Sequence, residues 1–222
     1  MCTVLAKARS TALRTTKQAA RRARIEETAY SVLKEAGYKS TSLLAVAQRA
    51  SASNETLYKW YGNKQGLFRE LVEANAREAR LLLEDSLHRS GDPLGTLAAL
   101  GPILLALVTG EKAVILNRAA ASDVSDTGTL GQAIAQFGRE TIAPLVCDLL
   151  TAARREGVIA CNDPAEATEI YFGLLIGDLQ IRRVIGVLDE LSAKAIDRRA
   201  QRAFELFLAL HAPSHNDEGD SQ

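Results

Sequence analysis

The chain carries the stretch SLLAVAQRASASNETLYKWYGNK between Ser42 and Lys64, and its pattern indicates two short helices joined by a tight turn. Ser42 and Ser53 each precede apolar residues at helical spacing, as N-cap residues do. The two predicted helices, 42–50 and 53–61, are too short to be stable alone, so tertiary packing must hold them. Such a pair is typical of a helix-turn-helix, whose second helix enters the major groove of DNA.

Each predicted helix has an apolar side and a polar side. The apolar side consists of Leu43, Val46, Ala47, Ala50, Leu57 and Tyr61, and the polar side presents Asn54, Glu55, Thr56, Tyr58 and Lys59. Asn54 can bond adenine through two hydrogen bonds, and Lys59 can reach guanine O6 and N7. Ser53, Tyr58 and Lys64 suit phosphates, Ser53 and Lys64 because they begin helices whose N–H groups also point outward.

The stretch resembles the DNA-binding domain of TetR-family repressors. The resemblance rests on the Thr-Leu-Tyr core at Thr56, the aromatic pair Trp60-Tyr61 and the Asn63-Lys64 that opens the next helix, and it covers about residues 18–70. Together, the pattern and the resemblance predict that DNA is contacted by Arg21, Arg22, Ser42, Ser53, Asn54, Glu55, Thr56, Tyr58, Lys59, Trp60 and Lys64.

Three residues depart from the family pattern. Ser51 stands in the turn where glycine is usual, so a left-handed backbone there would cost more. Leu44 stands where a polar residue often faces DNA, so one contact is expected to be lost. Glu55 replaces a small residue: it either accepts from cytosine N4 and sets sequence preference, or it is a solvated side chain along the groove.

The net charge of zero hides a division along the chain. Residues 1–64 hold 12 Lys/Arg and 4 Asp/Glu, whereas residues 65–222 hold 15 and 23, which gives +8 and −8. The first 24 residues contain seven cations and no acid. This segment is either a solvated tail or, ahead of a helix-turn-helix, an arm that follows phosphates or the minor groove.

Nearly every segment has a 3.6-residue period, which predicts an all-α protein of about nine helices. We expect a flexible basic arm over 1–17, a helix-turn-helix DNA-binding domain over 18–64, a helical effector-binding and dimerisation domain over 65–211, and a polar tail over 212–222. The first predicted helix runs from Gln18 to Ala36, with Gly37 as its C-terminal stop.

The resemblance implies that the last two helices pair with those of a second subunit. The predicted helix 163–187 holds Gly173 and Gly177, which either admit a helix of the partner or pack within the same subunit. Phe204 and Leu208 make the last helix apolar over a wide arc. These four residues are the predicted dimer interface of a symmetric homodimer.

The run from Tyr171 to Gln180 resembles, more loosely, the C-terminal domain of the AefR-like branch of the family. A pocket needs an apolar lining with a few polar groups, and the candidates are Asn117, Gln136, Phe137, Tyr171 and Asp178. Asp178 either pairs with Arg182 one turn on or contacts a ligand, and the ion pair is the preferred interpretation. The expected effector is small and apolar or amphipathic.

The sequence contains no recognisable motif for catalysis, metal binding or cofactor binding. Cys2, Cys147 and Cys161 have neither disulfide nor zinc spacing, and no nucleophile, phosphate-loop or dinucleotide motif occurs. We therefore predict no catalytic residues, no metal ligands and no cofactor. The longest apolar runs are too short to span a membrane and no secretory signal is present, so the expected location is the cytoplasm, without a membrane partner.

The sequence thus predicts a homodimeric transcriptional regulator that binds a double-stranded DNA operator. A repressor released by a small-molecule effector is the preferred form. The alternative is a non-specific or architectural DNA-binding protein that uses the basic arm.

Overall fold

A computed structural model describes the backbone of residues 2–89 and 91–213 and the side chains of residues 16–89 and 91–213. These residues form eleven α-helices and one π-helical segment, without a strand. The all-α prediction is confirmed. Most of the predicted polar tail, from residue 214 onward, lies outside the described residues.

The helix bounds place the predicted short pair at α2 and α3. The α-helices are α1 (Cys2–Ser40), α2 (Leu43–Arg49), α3 (Asn54–Tyr61), α4 (Lys64–Arg89), α5 (Pro93–Thr109), α6 (Glu111–Asp123), α7 (Thr129–Ile134), α8 (Glu140–Arg155), α9 (Pro164–Ile176), α10 (Leu179–Val184) and α11 (Ala193–Leu210). The π-helical segment Ala135–Arg139 joins α7 to α8.

Helix α1 begins earlier than the sequence predicts. Its backbone is helical from Cys2, whereas the predicted start is Gln18 and a flexible arm is expected before it. Alanine, leucine, lysine and arginine, which have high helix propensity, are frequent in that arm. At the other end, Gly37 leaves the helical conformation with φ of 71°, as expected for the predicted stop.

The first of two compact units runs to Leu71 and includes Ala119–Gly131. Helix α2 packs against both α1 and α3. The buried side chains include the predicted stripe of α1 and the apolar sides of α2 and α3: Ile25, Ala29, Val32, Leu33, Leu43, Val46, Ala47, Leu57 and Tyr61. The predicted core of the helix-turn-helix is therefore confirmed.

The second unit comprises Val72–Arg118 and the chain from Gln132 onward. Helix α11 packs against α5 and α9, and α8 packs against α5 and α9. Its core includes Leu83, Leu97, Leu100, Leu105, Val146, Leu149, Leu150, Tyr171, Phe172, Leu175 and Phe207.

The predicted continuous helix 163–187 is wrong, because the chain breaks between α9 and α10. Gly177 caps the end of α9 with φ of 51° and ψ of −128°. L-amino acids rarely adopt a positive φ, so the turn itself requires glycine at this position. Gly177 therefore does not indicate the close approach of another helix, as it would inside a continuous helix.

Among the residues that the structure describes, no single helix is long and apolar enough to cross a bilayer. Helices α5 and α6 have that length and composition only as a pair, and the pair is bent by 49°.

Candidate nucleic-acid interface

Two serine side chains fix where α2 and α3 begin. The Ser42 hydroxyl oxygen accepts a hydrogen bond from the N–H of Ala45 at 3.1 Å. The Ser53 hydroxyl oxygen accepts one from the N–H of Thr56 at 3.2 Å. Each bond satisfies one of the N–H groups that a helix leaves free in its first turn. Both predicted caps are thus confirmed, and both side chains are exposed.

The turn between α2 and α3 is closed by a residue in the left-handed conformation. Ser51 has φ of 51°, the single positive φ at a described residue other than glycine. Its N–H donates to the carbonyl oxygen of Gln48 at 3.3 Å, and the N–H of Ala52 donates to that of Ala47 at 2.9 Å. This is the hydrogen-bond pattern of a Schellman motif. The cost expected from the absence of glycine therefore applies here.

Helix α3 has a buried side and an exposed side. Leu57 and Tyr61 are buried in the first unit. The exposed side presents amide, carboxylate, phenol and ammonium groups, which belong to Asn54, Glu55, Tyr58 and Lys59. Tyr58 is 53% exposed. The predicted division between an anchored face and a polar face is confirmed.

Arg21 of α1 contacts two half-buried residues of α3, Thr56 and Trp60. Its Nη2 donates to the Thr56 hydroxyl oxygen at 3.4 Å. Its guanidinium carbon lies 5.7 Å from the Trp60 ring centroid, within cation–π range. The Thr56 hydroxyl also shares a hydrogen bond of 2.7 Å with that of Ser53. These four predicted DNA contacts form one cluster that joins α1 to the start of α3.

Arg22 is paired with an acid that the sequence analysis did not single out. Its Nη2 lies 3.4 Å from the Glu70 carboxylate, and its guanidinium carbon lies 5.9 Å from the Tyr61 ring centroid. The charge of Arg22 is therefore offset within the protein. In contrast, three exposed cations of the first unit, Lys17, Arg24 and Lys59, form no ion pair with any residue whose side chain the structure describes.

Lys64 points its ammonium group into the protein. Its Nζ donates to the carbonyl oxygen of Tyr38 at 2.8 Å and lies 4.0 Å from the Tyr38 ring centroid. The phosphate contact predicted for Lys64 assumes an outward side chain. In this structure the ammonium has protein partners, which a sequence pattern cannot reveal for a long and flexible side chain.

Two predicted effector residues use their polar groups within the second unit. Tyr171 is fully buried, and its hydroxyl donates to the carbonyl oxygen of Leu97 at 3.0 Å. The Asn117 amide donates to the carbonyl oxygen of Ala113, on its own helix, at 2.9 Å.

The other three effector candidates lie near the surface. Gln136 and Asp178 are exposed, and Phe137 is half-buried. The Asp178 carboxylate lies 3.8 Å from the Arg182 guanidinium. The ion pair preferred for Asp178 in the sequence analysis is thus confirmed.

The predicted dimer residues differ in their surroundings. Gly173 is exposed on α9, and apart from the adjacent residues and the backbone of α9 itself no described atom lies within 4 Å of the position that a Cβ would take. Phe204 and Leu208 on α11 are half-buried and pack partly against the core of the second unit. Gly177 belongs to the turn that follows α9.

The second unit contains two cavities that lie apart from the predicted effector residues. One, of about 380 Å³, lies where α8 and α11 end and α9 begins, and its lining includes Arg154, Cys161, Glu166 and His211. The other, of about 170 Å³, is lined by residues that include Ser86 and Arg155. None of the five effector candidates lines either cavity. No three His, Cys, Asp or Glu side chains among the described residues could together hold a metal ion.

Comparison with solved structures supports the same architecture. A TetR-family transcriptional regulator from Mesorhizobium loti MAFF303099 has a TM-score of 0.70 and 26% identity, over 87% of this chain and 97% of that one. A flavonoid-responsive regulator, FrrA, has a TM-score of 0.61 and 25% identity, over 88% and 98% of the two chains.

Sequence comparison relates the chain to one known regulator and to two domain families. An HTH-type transcriptional regulator of Bacillus subtilis (strain 168), YvkB, is 25% identical over 158 residues, which are 69% of this chain and 78% of that protein. The family of bacterial regulatory proteins named tetR matches residues 25–71. The C-terminal domain of AefR-like transcriptional repressors matches residues 95–213, more than half of the chain. The chain belongs to the TetR family of DNA-binding transcriptional regulators and carries an AefR-like C-terminal domain.

Proposed function

We propose that the protein is a homodimeric repressor that binds a partly palindromic operator and releases it when a small molecule binds the second unit. The observation that carries operator recognition is the exposed polar side of α3, whose opposite side is buried. A helix anchored in this way can enter the major groove while its core contacts stay intact.

Two side chains of α3 are assigned to base edges. The Asn54 amide can make two hydrogen bonds with adenine, and the Lys59 ammonium can reach guanine O6 and N7. The exposed hydroxyl groups of Ser42, Ser53 and Tyr58 suit phosphate oxygens. Phosphate contacts set the register of a protein on DNA, whereas base contacts read the sequence.

Glu55 is assigned to the choice between operators. Its exposed carboxylate can accept a hydrogen bond from cytosine N4. Glu55→Gln then relaxes the preference at one base pair of the half-site, which selection from random DNA measures. If Glu55 is only a solvated side chain, the same variant binds all sequences more tightly and to an equal degree, because a carboxylate near phosphates is lost.

The helical N-terminal extension supplies cations beside α3. Lys17, Arg21 and Arg24 are spaced so that they share one face of α1. Arg21 contacts α3, while Lys17 and Arg24 are exposed. We assign Lys17 and Arg24 to phosphates that flank the groove, a contribution that is independent of sequence and weakens with salt.

Dimerisation is assigned to α9 and α11. The open space above Gly173 leaves room for a helix of the partner, and Phe204 and Leu208 carry apolar surface that the chain itself only half covers. A two-fold axis would place two copies of α3 in adjacent major grooves, about 34 Å apart. Cross-linking through Gly173→Cys, with Gly131→Cys as a surface control, tests this assignment.

Effector binding is assigned to the second unit. Gln136 and Phe137 are the first candidates, because they belong to the π-helical segment and such irregular turns often occur at functional sites. Asn117, Tyr171 and Asp178 rank after them, because the polar group of each has a partner within the protein. FrrA is described as flavonoid-responsive, so flavonoids are the first probes, together with other small amphipathic compounds.

Selection of bound sequences from random DNA tests the proposed function. The full chain is expected to enrich a partly palindromic motif whose half-sites are one helical turn apart. Equal retention of all duplexes at physiological salt would instead indicate the non-specific or architectural DNA-binding protein. A reporter gene behind the selected operator then tests repression, and addition of flavonoids tests release.

A further inference from the structure

Helix α2 leaves one large apolar side chain exposed. Leu44 is 51% exposed, although Leu43 and Val46 on the same helix are buried. The described residues of the first unit contain two further exposed side chains of this class, Tyr58 on α3 and Val124 in the loop after α6. Single apolar residues are common on protein surfaces, so exposure alone assigns no role to Leu44.

The ion pair of Arg49 shows which edge of α2 carries Leu44. Arg49 lies on the same helix, and its Nη1 donates to the Glu35 carboxylate of α1 at 2.5 Å. Successive residues of an α-helix are about 100° apart, so Leu44 lies about 140° around α2 from Arg49, on the exposed side together with Gln48. Leu44 therefore lies on the edge of α2 that is turned away from Glu35.

The start of α2 lies close to the end of α3. Lys64, the first residue of α4, donates from Nζ to the carbonyl oxygen of Tyr38 at 2.8 Å. Tyr38 is near the end of α1, shortly before α2 begins at Leu43, and α4 begins shortly after α3 ends. Because Tyr58 occupies the last turn of α3, its exposed side chain and that of Leu44 lie on neighbouring parts of the surface.

The first turn of α2 also carries a hydroxyl group that suits a phosphate. Ser42 caps the helix by accepting the N–H of Ala45 at 3.1 Å, and its side chain is exposed. Phosphates line the edges of the major groove, whereas the bases form its floor. If Ser42 contacts a phosphate, as assigned above, Leu44 in the same turn of α2 comes close to the bases next to that edge.

The chemistry of the Leu44 side chain limits what it can contact there. The C5-methyl group of thymine is apolar, whereas the other groups by which base pairs differ in the major groove donate or accept hydrogen bonds. Leucine offers neither a donor nor an acceptor. Its contact with a methyl group removes apolar surface of both partners from water, which stabilises the complex.

We propose that Leu44 contacts the C5-methyl group of a thymine in each half-site of the operator. Helix α2 then reads one base pair in addition to those read by α3. The polar contact expected to be lost at Leu44 is replaced by an apolar one, whose contribution does not depend on the release of counterions by salt. The inference rests on the proposed binding of an operator.

Selection from random DNA identifies the base pair that Leu44 reads. The wild-type chain is expected to enrich thymine at one position of each half-site that Leu44→Ala no longer prefers, while the other positions stay the same. Leu81→Ala is the matched control, because Leu81 is 52% exposed on α4 in the second unit and should change no position. Alanine favours helices at least as strongly as leucine, so both variants should fold.

Uracil tests the methyl group alone, because uracil differs from thymine only by its absence. Uracil at this position in both half-sites is expected to weaken wild-type binding about 15-fold, or about fourfold for each methyl group. Leu44→Ala should bind the two operators equally. Leu44→Met keeps an apolar side chain of similar volume and should retain most of the discrimination. Fluorescence anisotropy with labelled operators measures all four affinities of each comparison.

Three results would overturn the proposal. The first is an unchanged operator affinity in Leu44→Ala, which would leave Leu44 without a role in DNA binding. The second is a uracil effect that is absent from the wild type or equal in wild type and Leu44→Ala, which would assign any methyl contact to another side chain. The third is an equal loss of operator and random-DNA affinity. Failure of the wild-type chain to enrich any operator would instead reject the proposed function on which the inference rests.

Discussion

The hydroxyl of Tyr171 on α9 donates a hydrogen bond to the carbonyl oxygen of Leu97 on α5, with 3.0 Å between the two oxygens. The Tyr171 ring is fully buried and lies edge-on to Phe207 of α11, with 5.5 Å between the ring centroids. One side chain thus links three helices of the second unit. The apolar ring supplies buried area, and the satisfied hydroxyl avoids the cost of an unpaired polar group.

Removal of this hydroxyl is expected to destabilise the protein. Tyr171→Phe should lower the free energy of unfolding by about 1–2 kcal/mol, because a buried hydrogen bond is lost. Unfolding in urea, followed by circular dichroism, measures the change. Tyr38→Phe is the matched control, since the Tyr38 hydroxyl is buried but has no hydrogen-bond partner in the described part of the chain. An equal loss in both variants would contradict the role assigned to the Tyr171–Leu97 bond.

Stability is expected to fall at alkaline pH. Burial raises the pKa of Tyr38 to about 12, and the Asp123 carboxylate acts in the same direction. Burial also raises the pKa of Tyr171. Because these folded-state pKa values exceed the unfolded value of about 10, the stabilising contribution is complete below pH 10 and is lost as pH rises toward the folded-state values.

Urea unfolding at a series of pH values measures this loss. The free energy of unfolding should decrease above about pH 10, and the decrease should be shallower in Tyr38→Phe and in Tyr171→Phe than in the wild type. Tyr58→Phe serves as the control, because its side chain is 53% exposed. The same steepness in all four proteins would show that other groups govern the alkaline transition.

The helix-turn-helix could be predicted from the sequence because its determinants are local. Ser42 and Ser53 act within three residues of themselves as caps, and Leu57 and Tyr61 follow the period of a single helix. Gly37 ends the first helix through its own backbone conformation. Signals of this kind need no knowledge of the remaining chain.

The remaining features depend on residues that are distant in sequence. The pairing of Arg22 with Glu70 and the inward direction of Lys64 are set by packing, since long cationic side chains can reach several partners. Gly177 lies between two apolar segments whose combined periodicity is that of one continuous helix. The sequence therefore does not reveal the positive φ that ends α9 at Gly177. The inclusion of Ala119–Gly131 in the first unit is likewise a tertiary property.

Replacement of the left-handed serine in the turn is expected to stabilise the protein. Ser51 has φ of 51°, where a residue with a Cβ is strained by about 1–2 kcal/mol. Ser51→Gly removes that strain but gives the unfolded chain more freedom, so a net gain of about 0.5–1 kcal/mol in the free energy of unfolding is expected. Ser51→Ala keeps the Cβ and should give no gain. Thermal unfolding of the three proteins compares them, and an equal gain in both variants would contradict backbone strain as the cause.

The exposed face of α3 is tested by changing its base and phosphate contacts together. Lys59→Ala with Tyr58→Phe removes an ammonium and a hydroxyl from exposed positions, so the fold should be unaffected. Affinity for the selected operator should fall about tenfold or more, since one good base contact contributes about 1–3 kcal/mol of discrimination. Fluorescence anisotropy with labelled operator measures the affinity, and random duplex DNA measures the non-specific part.

A matched double variant on another exposed surface serves as the control for that experiment. Lys112→Ala with Gln201→Ala changes exposed residues of the second unit, and operator affinity should stay at the wild-type value. The ratio of operator to random-DNA affinity should therefore drop only when α3 is changed, because base contacts and not overall charge set that ratio. An unchanged ratio in the Lys59→Ala, Tyr58→Phe variant would show that α3 does not read the bases and that recognition lies on another surface.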